Sequence, residues 1–159
     1  STNRTTGVAT GSQTRVLGTN GFLTATTYYI EDGAPIQSIT KNIKGGNDIA
    51  TSQYGWDGRV LATASKHGLP GGLYNNYEIL SKYNYDKIGR VTSTEQKFGT
   101  NAWRVMSNRN LDDFGRTSNK RLDPAYNGHF GGIGPAGGGL QNLSYTYTVQ
   151  GSMVAINKL

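Results

Sequence analysis

The stretch YNYDKIGRV, residues 83–91, holds a strand, a turn and a second strand in nine residues. Tyr83 and Tyr85 are two apart, so on a strand they share one face. Asp86 suits the first position of a type I turn, where a carboxylate accepts nearby backbone N–H groups. Lys87 and Ile88 take the central positions. Gly89 then supplies the left-handed residue of a G1 bulge, the usual three-residue hairpin solution. Arg90 and Val91 open the return strand.

The same logic recurs along the chain. YTYTVQGSMVAI places Tyr145, Tyr147 and Gly151 at identical offsets, and TYYIEDGAPIQSI places Tyr29 four residues before Gly33. RNLDDFGRTSNK keeps Asp112, Gly115 and Arg116 and puts Leu111 in the aromatic position. YGWDGRVLATA keeps Tyr54, Trp56, Asp57, Gly58 and Arg59. Against the Asp86–Gly89 spacing this copy lacks two turn residues, which predicts a tighter turn and makes Trp56 the counterpart of Tyr85. A weaker sixth copy is RVLGTNGFLTAT, with Leu17 and Gly21. Turn glycines 33, 58, 89, 115 and 151 fall 25, 31, 26 and 36 residues apart, room for two strands, a turn and a variable loop. Tyr29, Trp56, Tyr85, Leu111 and Tyr147 are expected to form one packing row, because apolar bulk persists there while the ring does not.

Composition agrees with short strands and tight turns. The 159 residues include 23 Gly and 10 Tyr, with 35% hydrophobic and only 16% charged residues, too few Leu, Glu and Lys for long amphipathic helices. The predicted class is all-β, built of successive antiparallel hairpins. The chain has no Cys, so stability must come from packing or from membership in something larger. No apolar run reaches the ~18 residues of a membrane-spanning helix. Ser1 opens a polar stretch with no signal-peptide pattern, as expected of a mature or internal fragment. Net charge is +6, yet the basic residues are dispersed and only Lys120-Arg121 are adjacent, which argues against a phosphate-binding footprint and against nucleic acid as partner.

YNYDKIGRV resembles the tyrosine-aspartate (YD) repeat of Rhs proteins, found also in Tc-toxin cocoons and teneurins. GVATGSQTRVLGTNGFLTATTYY, YEILSKYNYDKIGRV and LSYTYTVQGSMVAINKL are similar to segments of Bacteroidota RHS-repeat proteins. The copies at Gly33 and Gly151 depart from the repeat, with Ile30 and Thr148 in place of Asp, and are expected to be looser hairpins. The resemblance implies a long β-ribbon spiralling into a hollow shell around another polypeptide, with 159 residues forming part of the wall. It also implies a secreted or cell-surface protein, associated with a toxin and engaged with its cargo, the remaining shell or a delivery machine. A self-cleaving Asp-Pro-x-Gly motif is part of the family pattern, but Asp123-Pro124-Ala125-Tyr126 lacks the Gly, so that activity is not carried over.

Candidate chemistry is sparse. His67 and His129 have no Cys or carboxylate at ligand spacing and read as loop residues. Asp112-Asp113 would point to opposite strand faces, and Asp112 holds the turn position. GIGPAG, residues 132–137, spells a nucleotide-binding pattern, but Pro135 removes a donor and no helix is expected after it. It lies in a Gly-rich loop spanning residues 123–142, long for an idle connection. No catalytic, cofactor-binding or metal-ligating residue is assigned, and no cofactor is expected. The reading is a single repeat segment, residues 1–159, that is non-catalytic and partner-dependent or oligomeric. The alternative is an adhesin-like surface module that binds glycan or protein through strand aromatics.

Overall fold

The computed structural model describes residues 7–70, 77–126 and 139–157. Among these are eleven β-strands and no helix, as the all-β expectation requires. They are β1 (Gly11–Arg15), β2 (Phe22–Tyr29), β3 (Pro35–Lys41), β4 (Asn47–Tyr54), β5 (Val60–His67), β6 (Tyr77–Tyr85), β7 (Val91–Phe98), β8 (Arg104–Leu111), β9 (Thr117–Leu122), β10 (Gln141–Tyr147) and β11 (Met153–Ile156). Hydrogen-bonded neighbours follow chain order from β1 to β11 with no crossover. Short turns between strands permit only antiparallel neighbours, and the result is a meander. The chain divides into two compact units, residues 1–81 with 98–101 and residues 82–97 with 102–159.

Within the first unit, Tyr29 and Tyr54 share a face. Thr27 pairs with Ser38, Ser38 with Ala50, and Ala50 lies four residues before Tyr54 on the same side. The other face holds the row Thr26, Ile39, Ile49 and Lys66, paired strand to strand. Within the second unit the two faces differ in chemistry. One carries Ser93, Asn108, Arg121 and Asn142 in a continuous cross-strand row, with Asn110, Asn119 and Ser144 beside it. The opposite face carries Leu111, Leu143, Tyr145 and Tyr147 together with Arg109 and Lys120. Tyr83 and Tyr85 belong to that tyrosine face, because Asn84 between them donates to Ser93 and Glu95 on the polar one.

Among the described residues, neither unit shows a buried apolar interior. Among the described residues no hydrophobic side chain is fully buried. Tyr29, Tyr54, Tyr85, Leu111 and Tyr147 are half-buried rather than buried, as a sheet of one layer allows. The expected burial of this row is therefore only partial.

The turns share one geometry. In the founding copy, Asp86 N–H donates to the Arg90 carbonyl at 2.9 Å and Gly89 N–H to the Asp86 carbonyl at 3.0 Å. Residues 30–34, 55–59, 112–116 and 148–152 repeat both bonds at 2.8–3.0 Å. Gly33, Gly58, Gly89, Gly115 and Gly151 have φ between 78° and 91°, the left-handed region that a side chain resists. The copies at Gly33 and Gly151 are thus no looser in backbone than the rest.

Two readings of the sequence need correction. The turn at residues 55–59 is not shortened: it begins at Gly55, and the residue four before its glycine is Tyr54. Trp56 occupies a central turn position and is 100% exposed, so it is no member of the packing row. In the weaker sixth copy the left-handed residue is Gly18 (φ 80°), not Gly21, within a longer turn closed by Val16 N–H to the Gly21 carbonyl. The structure adds one further copy, Asn42–Gly46, with Gly45 at φ 86° and the same pair of bonds. It lies at the opposite end of the strands, because successive connections of a meander alternate ends. The Gly-rich loop is shorter than 123–142, since Gln141 and Asn142 already belong to β10. GIGPAG and His129 lie outside the described residues.

Backbone strain and steric collision can be separated here. A side chain added at Gly58 meets nothing within 4 Å, whereas one at Gly115 collides with the Arg90 guanidinium. Gly58→Val is therefore expected to cost about 1–3 kcal/mol through strain alone, and Gly115→Val more, because the Arg90 side chain that must swing aside is held by Asp86. Denaturant melts of the two variants check this, and equal losses would show that Arg90 yields freely.

Candidate functional site

Four of the described turns are gripped by the side chain of their first residue, Asn42, Asp86, Asp112 or Thr148. Asp86 Oδ1 accepts the N–H groups of Ile88 (3.1 Å) and Arg90 (2.8 Å), while Oδ2 accepts Arg90 Nε at 2.6 Å. Asp112 repeats the pattern on Phe114 N–H (3.1 Å), Arg116 N–H (2.8 Å) and Arg116 Nε (2.7 Å). Asn42 uses its carbonyl oxygen in the same way on Lys44 and Gly46, and Thr148 its hydroxyl on Ser152. Gly55 has no side chain to offer. There the clasp comes from the third turn position, where Asp57 accepts Arg59 N–H at 3.1 Å and pairs with its guanidinium at 3.0 Å. Asp113 stays exposed in its turn, so the neighbouring carboxylates do not converge on one site.

These bonds favour the ionised carboxylates. The Arg90 backbone N–H, then its guanidinium and the Ile88 N–H, hold Asp86 below the ordinary carboxylate range against a partial burial that pushes it up. At Asp112 burial is the largest influence and pushes upward, but Arg116 and Phe114 together outweigh it and leave the group lowered.

Successive hairpins are tied in both directions. Forward, the Arg116 guanidinium donates to the Thr148 carbonyl of the next turn at 3.0 Å, and it lies 4.7 Å from the Tyr147 ring centre. Backward, the Tyr147 hydroxyl donates to the Thr117 carbonyl at 2.9 Å, at the residue that opens the preceding return strand. Tyr54 does the same to Pro35 at 2.9 Å, and Tyr29 reaches the Ala9 carbonyl at 2.8 Å. The aromatic position is thus a tyrosine position for its hydroxyl as well as its bulk.

Leu111 tests that logic. It has no hydroxyl for the carbonyl of Val91, which opens the preceding return strand. Arg109, two residues earlier on the same face, donates Nε to that carbonyl instead. The lost donor is supplied by a neighbour, which sequence reasoning based on bulk alone could not show.

The structure also joins residues that the sequence kept apart. His67 Nδ1 lies 3.2 Å from Asp48 Oδ1, across paired strands β4 and β5. Asn42 donates to the same oxygen at 3.1 Å and to the Gly68 carbonyl at 2.8 Å. The Asn42 amide, with lesser help from His67 and the Gly68 N–H, lowers the Asp48 pKa against desolvation. The cluster ties β4 and β5 to the end of the Asn42 turn. At the end of β9, Asp123 takes φ 41° and its carboxylate is held by the Arg104 guanidinium through both oxygens.

Two grooves stand out among the described residues. One in the first unit, about 710 Å³, is bordered by Tyr28, Ile36, Gln37, Gln53 and the exposed Trp56. The other, about 430 Å³, lies in the second unit between β7 and β11. No family model matches the sequence, and no curated protein matches it.

Removing one backward tie should be measurable. Tyr147→Phe keeps the ring and loses one hydrogen bond, so the expected loss is about 0.5–1.5 kcal/mol in denaturant melts. No loss would mean that the Thr117 carbonyl gains nothing from the phenol. The clasps also set an acid limit. Folded-state pKa values below the unfolded ~3.9 mean that the contribution of Asp48, Asp86 and Asp112 is complete above that value. It is lost as pH falls from about 4 through the lowered folded values. Asp86→Asn retains an acceptor for the backbone, as Asn42 does, so its stability should fall less steeply over that window than the parent's.

Proposed function

We propose that this chain is a non-catalytic structural segment of a repeat-built β-wall that encloses, carries or displays another polypeptide. The observation that carries the reading is the pairing of hairpin-to-hairpin ties with the absence of any fully buried hydrophobic side chain among the described residues. Side chains are spent on joining each hairpin to the next, not on making an interior. Such an array gains its remaining stability from whatever covers it. The YD-repeat resemblance supplies the biological setting: a secreted or surface-exposed shell, with a toxin as the expected class of cargo.

A second reading has its own support. Trp56 is wholly exposed and Tyr28 half-exposed at the rim of one groove with Gln37 and Gln53, a combination suited to stacking on neutral sugars. Adhesion to glycan would use that surface.

Hydroxyl-radical footprinting separates the two. In the native polypeptide, Tyr29, Tyr54, Tyr85 and Tyr147 are expected to be oxidised several-fold more slowly than in the isolated chain, with Trp56 equally reactive in both. Unchanged tyrosine rates, together with quenching of Trp56 fluorescence by neutral oligosaccharides, would replace the wall by the adhesin.

A further inference from the structure

We propose that the tyrosine face of the second unit carries a groove that binds an acidic, extended polypeptide segment, with Arg109 and Lys120 as its anion-recognising pair. The proposal rests on the wall reading, for which it names the chemistry of the covered partner.

Arg109 and Lys120 are directly opposite one another on β8 and β9, so two positive side chains share one face. Like charges in that relation destabilise a sheet. Nothing on the face compensates them. The groove lining holds both cations, the hydroxyls of Thr94, Ser107 and Thr117, and no carboxylate. The bond from Arg109 Nε to the Val91 carbonyl fixes the guanidinium in place. Its terminal nitrogens and the Lys120 ammonium take no partner among the described residues. An oxyanion between them would turn a repulsive pair into a chelating one, with hydroxyl donors alongside.

The surrounding charge points the same way. The second unit has ten Lys and Arg against five Asp and Glu, an excess of five out of +6 for the chain. Three of its five carboxylates, Asp86, Asp112 and Asp123, are already held by Arg90, Arg116 and Arg104. The charge of the unit outside these ion pairs is therefore mostly positive, although the sequence disperses its basic residues.

Extent and lining select a polypeptide among the anions. The groove is lined from β7 to β11, four inter-strand gaps or about 19 Å at ~4.8 Å each. That is the span of an extended peptide of about six residues. Tyr145 and Met153 add apolar contact on its walls. A base-stacking surface is missing at Tyr147, whose hydroxyl is engaged by Thr117 and whose ring is covered by Arg116. A segment alternating Glu or Asp with apolar residues matches this lining.

The test is fluorescence anisotropy of the full chain with a labelled twelve-residue peptide alternating Glu and Leu. Comparison probes are its Lys–Leu counterpart, a single-stranded oligonucleotide and a sulfated oligosaccharide of equal charge. The acidic peptide should bind with salt-sensitive affinity, and Lys120→Gln should weaken it about tenfold while Lys87→Gln, in an exposed turn, leaves it unchanged. Lys120→Gln removes no bond, so its melting curve should match or exceed the parent's, which excludes unfolding as the cause. Equal binding of the acidic and basic peptides, or equal effects of the two substitutions, overturns the proposal. Tighter binding of the oligonucleotide or the sulfated sugar overturns the choice of polypeptide. Loss of the acidic-peptide result with footprint protection of the tyrosines intact would sink this groove and leave the wall standing.

Discussion

The structure depends on one constraint: a sheet of a single layer must hold its hairpins together without an interior. Backbone ladders join neighbouring strands, but a ladder alone leaves the turns free to splay. Here a donor beside the turn reaches back to the first carbonyl of the preceding return strand: the tyrosine hydroxyl at Tyr54 to Pro35 and Tyr147 to Thr117, and Arg109 to Val91 where Leu111 stands. Each such bond contributes modestly, about 0.5–1.5 kcal/mol. Their recurrence at one offset is what matters. A position that repeats every hairpin acts on every hairpin.

Turn residues divide their labour by physical necessity. The glycine is required at one place, because a backbone near φ 80–90° penalises any side chain. The clasp varies in identity, and the Ile30 turn forms its two backbone bonds with an apolar first residue. Asp, Asn and Thr all accept the N–H of the fifth turn residue, and where Gly55 offers no oxygen, Asp57 at the third position accepts that N–H instead. This explains why the glycines and the aromatic offset were legible in the sequence while the Asp was a poor guide to register. Aligning Asp57 with Asp86 shifted the copy by two residues and promoted Trp56 to a packing role that its complete exposure denies. Counting back from the glycine, as in the other copies, leads to Tyr54.

What stayed hidden was contact between residues distant in the chain. His67 and Asp48 are 19 residues apart and meet only because β4 and β5 pair in a register that no local pattern specifies. The replacement of a missing tyrosine hydroxyl by Arg109 is hidden for a related reason. Leu111 reads as conservative in bulk, and only the Val91 carbonyl, which accepts from Arg109 rather than from a tyrosine hydroxyl, shows that a donor had to come from elsewhere. The polar and tyrosine faces of the second unit follow from strand alternation once the register is known. The opposition of Arg109 and Lys120 follows from the register alone.

The forward and backward ties together free the opposite ends of the strands. Arg116 reaches ahead to Thr148 while Tyr147 reaches behind to Thr117, so the relation between those two hairpins is set at the turn end. The connections at the far end need not have any fixed length. The glycine spacings of 25, 31, 26 and 36 residues show how widely they vary. Loop closure entropy rises only slowly with loop length, so a long insertion costs little once its ends are already held. A meander built this way can accept insertions at one end of its strands and keep its glycine turns at the other. The Gly-rich stretch after Asp123 enters at such a place, where Arg104 pins the departing chain and the Leu140 N–H returns to the Leu122 carbonyl at 3.0 Å.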